Sequence, residues 1–128
     1  MLQMNMDETW HNISHESDTS RDEALAKACA ETGSPWFSGH FPNDPILPGI
    51  AILSMVTGVI KHHESENGNK VRISAIKRVR FRLPVKPDDM LTISVYLPPQ
   101  GDGRSYHFKV TLHDQTACTG IVSFELLP

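Results

Sequence analysis

Residues 38–58 read SGHFPNDPILPGIAILSMVTG. Two residues of this stretch could do chemistry together: His40, and Gly49 nine positions later. An imidazole has an unperturbed pKa near ~6.5, which suits a base at neutral pH. Pro42, Pro45 and Pro48 stand between and beside them at intervals of three. Each fixes its own φ and biases the residue before it towards extended geometry, so residues 41–47 form a stiff, non-helical arm. Pro48 suits the first turn of a helix, where its missing N–H costs nothing. The start of a helix offers free N–H groups and a positive dipole end to an oxyanion. Glycine there lets a ligand approach the backbone closely. His40 and Gly49 thus make a sensible pair: a base for a proton beside a carbonyl, and an N–H for the oxygen that gathers the charge.

Such a pair needs elements to hold it. The helix PGIAILSMVTGVIKHHESENG runs from Pro48 to about Glu64 and stops near ENGN. From Ile50 to Ile60 it is apolar almost all round, with Ser54 and Thr57 the polar residues and Gly58 neutral. A helix of that kind is buried on every side, and a small domain achieves this by wrapping a sheet around it. The chain downstream supplies strands in KVRISAIKRVRFRLPV, DMLTISVYLP, RSYHFKVTLHD and TACTGIVSFEL, with PQGDG and HDQT as turns. Short turns between strands predict an antiparallel meander. Upstream, Asp22 to Glu31 has the residues of a helix by propensity. Its alanines at 24, 26, 28 and 30 alternate with other residues, and that period of two favours a strand. The fold class expected is α+β: antiparallel sheet around one long helix. Residues 1–20 are expected to be loosely ordered, with Trp10 and Ile13 able to dock on the core, and residues 21–128 to form one domain.

Composition narrows the function classes. The 128 residues carry a net charge of −3, which argues against nucleic acid as a partner. Cys29 and Cys118 are far apart and outside any C-x-x-C spacing, so they read as core thiols of a cytoplasmic protein. The polar, mildly acidic N-terminus lacks the basic start and apolar run of a secretory signal. The apolar run Ile46 to Ile60 is too short, and too broken by Pro48 and Gly49, for a membrane helix of ~20 residues. His11, His15, His62, His63, His107 and His113 show no metal-ligand spacing, and no glycine-rich phosphate loop is present. Neither a metal nor a cofactor is expected.

GHFPNDPILPGI resembles the signature of the β-hydroxyacyl-acyl-carrier-protein dehydratases, FabZ/FabA-like hotdog enzymes of fatty acid synthesis. ISAIKRVRFRLPVKPDDML is similar to that family's third-strand region, and SPWFSGHF to its approach to the histidine. The likeness covers roughly residues 25–126. It implies a hotdog fold and two copies pairing their sheets edge to edge as a homodimer or higher even oligomer. It also implies an acyl chain in a tunnel at that interface. His40 would be the catalytic base and the Gly49 N–H would hold the thioester carbonyl oxygen, with Phe41 and Pro48 beside the substrate. The partners implied are acyl carrier protein or a coenzyme A thioester.

One position departs from the family. Its acid, a Glu or Asp, lies fourteen residues after the histidine and faces the partner subunit's histidine; here that residue is Ser54. One turn later, where many relatives carry Gln, stands Gly58. A positioned acid contributes about 10²–10⁴-fold, and a serine hydroxyl does not replace it near neutral pH. Ser54 also has a structural reading, with its hydroxyl bonded back to the Ile50 carbonyl. Asp44, Glu64, Glu66, Asp88 and Asp89 are the other carboxylates near the region, and each reads as solvated, distant or part of a turn. Two readings therefore stand. One is an enzyme on acyl thioesters, a hydro-lyase or a hotdog thioesterase or isomerase. The other is a non-catalytic module that binds acyl thioesters or their carrier. Arg78, Arg80 and Arg82 alternate with Val79, Phe81 and Leu83, which on a regular strand sets three guanidiniums on one face. They read either as a docking patch for an acidic acyl carrier protein or as a solvated face that discourages edge pairing.

Overall fold

A computed structural model of the chain describes residues 10–16, 20–38 and 43–128. His40 and Phe41 lie outside the described residues. In chain order the elements are β1 (Asn12–His15), β2 (Glu23–Cys29), a 3-10 turn (Pro35–Phe37), α1 (Gly49–Glu66), β3 (Val71–Phe81), β4 (Leu91–Tyr96), β5 (Ser105–Leu112) and β6 (Gln115–Leu126). The strands form one sheet of order β1-β2-β4-β5-β6-β3, antiparallel throughout.

The period-two reading of residues 22–31 gave the right element. Ala24, Ala26 and Ala28 are buried, while Glu23, Leu25 and Lys27 face out. Small side chains let α1 lie close on this part of the sheet. Of residues 1–20, only 10–16 and 20 are described, and Asn12–His15 is a strand paired with β2. Trp10 and Ile13 pack against the core and carry the segment there.

The meander holds only for β4, β5 and β6. β3 and β4, adjacent in sequence, lie apart, because β3 pairs with β6 at the far edge. Residues 82–90, RLPVKPDDM, carry the chain between them, and Pro84 and Pro87 keep this segment out of any ladder. It runs past the helix start: the Leu47 N–H donates to Val85 O at 2.7 Å and the Asp88 N–H to Ala30 O at 2.8 Å. β4 and β5 join through a tip at residues 97–104, of which 99–104 are exposed.

The core lies between α1 and the sheet. Ala51, Ile52, Met55, Val56, Val59 and Ile60 meet Leu91, Ile93, Val95, Val110 and Val122. The helix is not buried on every side, as its composition suggested. Ile50 is 65% exposed, and Leu53, Ser54, Thr57 and Gly58 are half-buried. The sheet covers one face, and among the described residues the opposite side of the helix is only partly covered. Cys118 is a buried core thiol, and burial pushes its pKa up to about 11; Cys29 is half-buried on β2. Among the described residues no helix is long and apolar enough to cross a membrane.

Candidate active site

Gly49 is the first residue of α1, and Pro48 stands before it as the N-cap, at φ −66° and ψ 150°. Proline brings no capping side chain, so the first N–H groups of the helix are left to other acceptors. The Ala51 N–H turns back to Pro48 O at 2.9 Å. The Gly49 N–H meets no acceptor among the described residues. Glycine at this position also has a packing cause. A Cβ here would lie 2.6 Å from Cζ of Phe81, so the ring tip fills the space a side chain would take. Phe81 is 52% exposed. With Ile46, Leu47, Ile52, Leu83 and Val85 it lines an apolar cleft of ≈350 Å³ at the helix start, with Arg82 the charged residue of its lining.

Five residues along α1, Ser54 opens on a second space. A groove of ≈600 Å³ runs beside Ser54, Gly58, Lys61 and His62 of the helix, with His11 and His15 of the N-terminal segment opposite. Ser54 does not show the expected bond to the Ile50 carbonyl; its own carbonyl accepts from the Thr57 hydroxyl at 3.1 Å. Ser54 is half-buried and belongs to the lining of the groove.

The other carboxylates are committed elsewhere. Asp44 pairs with Lys86 at 3.4 Å on the surface. Asp88 holds the Thr32 hydroxyl and N–H, and Asp89 the Lys86 N–H. Glu66 pairs with His62 at 3.2 Å. Glu64 is 5% exposed and accepts from the Tyr106 hydroxyl and, at 3.0 Å, from Asn69 Nδ2. None of the five stands beside Gly49, so no described carboxylate occupies the acid's place.

The arginines do not keep the regular alternation. β3 is bulged between Lys77 and Arg80, and Arg78 sits there at φ 56°, in the left-handed region. Arg82 lies just past the strand, where its N–H donates to Ala117 O at 2.8 Å. All three side chains are exposed, though not as one row on a flat face.

Sequence reasoning missed two polar clusters. In the first, the Trp36 Nε1–H donates to His11 Nδ1 at 3.1 Å, and Trp10 meets Trp36 edge-on at 4.8 Å. This ties the N-terminal segment to the 3-10 turn that precedes His40 in the chain. In the second, His63 bonds the Arg21 carbonyl at 2.7 Å beside the Glu64–Tyr106 pair. Burial and then the Glu64 bond raise the Tyr106 pKa well above the ordinary phenol range, so the phenol remains a donor. A signal existed for Glu64, which falls on the Ile52–Val56–Ile60 stripe at intervals of four.

An antiparallel sheet packed on one long helix defines a hotdog protein of the α+β class. A model of the ApeI-like family, described as ApeI dehydratase, matches residues 15–121. The chain belongs to this family, within the FabZ/FabA-like hotdog dehydratases. It is similar to the 3-hydroxyacyl-[acyl-carrier-protein] dehydratase FabZ of Roseiflexus sp. (strain RS-1), 36% identical over 108 residues, 80% of this chain and 76% of that protein. The FabZ of Actinobacillus succinogenes is 37% identical over 90 residues, which span 66% of this chain and 60% of that one. Among solved structures, the dehydratase heterocomplex ApeI:P from Xenorhabdus doucetiae superposes with a TM-score of 0.72 at 26% identity, covering 87% of this chain and 93% of that one.

Proposed function

We infer that the chain acts on 3-hydroxyacyl thioesters as a dehydratase subunit. His40 takes the proton next to the thioester carbonyl, and the Gly49 N–H holds the carbonyl oxygen as it becomes an enolate. The bond from carbon 3 to its hydroxyl then breaks. The departing hydroxide takes a proton from an acid, leaving water and a 2-enoyl thioester. The observation that carries this reading is the family match over residues 15–121, with a Gly49 N–H at the start of α1 that meets no acceptor among the described residues. Phe41 and Pro48 would flank the substrate. Exposed Arg78, Arg80 and Arg82 would receive an acidic carrier protein or the phosphates of coenzyme A.

Ser54 bears on the assembly. In a pair of identical chains each His40 would face a serine. A second, different hotdog chain with a carboxylate at that position would serve this chain's His40, and one similar solved structure is a dehydratase heterocomplex. The acid is therefore assigned to a heteromeric partner rather than to a homodimer. The test separates base from acid. Wild-type chain alone should dehydrate 3-hydroxyacyl carrier-protein thioesters slowly. Ser54→Glu should gain about 10²–10⁴-fold. Wild type mixed with the His40→Ala/Ser54→Glu chain should gain as well, since each supplies what the other lacks. No turnover in any arm, together with measurable binding of the acylated carrier, would instead establish the non-catalytic module.

A further inference from the structure

β1 is held lightly. It is four residues long, lies at the sheet edge and has β2 as its neighbour. Ile13 is set against α1 at Gly58, where an added Cβ would meet its Cδ1 at 3.7 Å. The last residue of β1, His15, stacks on His62 of α1, with ring centroids 3.7 Å apart and planes 10° from parallel. His62 is also paired with Glu66. The two rings line the groove that holds Ser54, and they line a second cavity as well. That cavity, of ≈560 Å³, reaches Ser20, Arg21 and Val59 towards the end of the helix. Both rings are thus shared by the two linings.

We propose that the His15–His62 stack is a proton-operated latch, which fastens β1 to α1 at neutral pH and releases it in mild acid, joining the Ser54 groove to the cavity behind. Its consequence for catalysis rests on the dehydratase reading of that groove; the latch itself does not.

Neutral imidazoles stack without electrostatic cost. Two protonated rings would stand as like charges face to face at van der Waals spacing. The groups around the pair do not relieve this. From β1 and its continuation come His11, whose Nδ1 accepts from Trp36, and Glu16. From α1 come Lys61, Glu66 and His63, the last bound to the Arg21 carbonyl. Arg21 enters from the segment before β2, and β2 itself brings the apolar Ala24 and Leu25. Of these groups, His62 and Glu66 are the ones that act on His15. Burial first, and His62 second, hold His15 below its ordinary pKa, with Glu66 offsetting part of the shift. A histidine depressed in the closed form is protonated more readily when released. The closed form is therefore favoured above ~6.5 and loses ground as pH falls through the depressed value.

Amide hydrogen exchange on the full chain tests this without any substrate, so its outcome is independent of whether the protein is a dehydratase. After correction for intrinsic rates, protection of residues 12–16 should fall about tenfold more than that of β5 and β6 between about pH 7.5 and pH 5.5. In His15→Gln/His62→Gln the extra fall should vanish. In His62→Gln, a change at a half-exposed helix position, it should be shallower. Equal protection of β1 at both pH values in the wild type would overturn the latch. So would an undiminished fall in either variant.

Discussion

Glu64 lies on the apolar face of α1, and Tyr106 and Asn69 hold its carboxylate there. A buried acceptor that loses a donor bears its desolvation in full. Tyr106→Phe keeps the ring against Phe124 but leaves Glu64 one donor short, and should cost about 1–3 kcal/mol in urea unfolding. Glu64→Gln, which retains a carbonyl for the same donor, should cost less. Gly49 gives a second case. Alanine there drives a methyl into the Phe81 ring, and overpacking of this kind costs ~1–3 kcal/mol. Removing the ring removes the conflict, so Gly49→Ala should be nearly neutral on a Phe81→Ala background. Additive losses in that double-mutant cycle would show that the clash is relaxed by other means. The glycine that admits a substrate oxygen in the sequence reading is thus also a seat for an aromatic side chain. Nothing in the spacing of residues 49 and 81 announces that.

At the scale of elements, local rules were legible wherever the pattern was unambiguous. β2 was readable because its alanines alternate, and helix propensity gave way to the sheet that buries them. The place of β3 was not readable, because RLPVKPDDM looks like any turn-rich link and its two anchors, to Leu47 and to Ala30, are long-range bonds. The bulge in β3 was equally hidden, since no glycine or asparagine marks it; an arginine takes the left-handed position instead. Arg78→Gly should therefore be tolerated or slightly stabilising. Arg78→Val should cost about 1–3 kcal/mol, because a β-branched residue suits positive φ least. Thermal unfolding of the two variants decides this, and equal melting temperatures would mean the bulge simply flattens. The uncovered side of α1 had a partial signal. Its apolar residues were plain to see, but which of them the sheet reaches depends on long-range packing.

At the scale of the whole molecule, the site was legible as a motif and illegible as an assembly. GHFPNDPILPGI led to Gly49 at the helix start. The histidine clusters were not legible, because each joins residues of the N-terminal segment to partners far along the chain. Charge reversal at Arg80 and Arg82 should weaken carrier-protein affinity and flatten its salt dependence, without loss of folded stability. Unchanged affinity would leave these residues as a solvated face. The tip at 97–104 lies at the other end of the molecule. The Leu97 N–H bonds Asp22 O, next to the Arg21 carbonyl held by His63, while Gly49 begins the same helix fourteen residues before His63, ~21 Å away along its axis. A handle inserted between Asp102 and Gly103 would tether the protein to a sensor surface with its helix start turned to solution. Carrier and partner chain could then be delivered in sequence to one oriented layer.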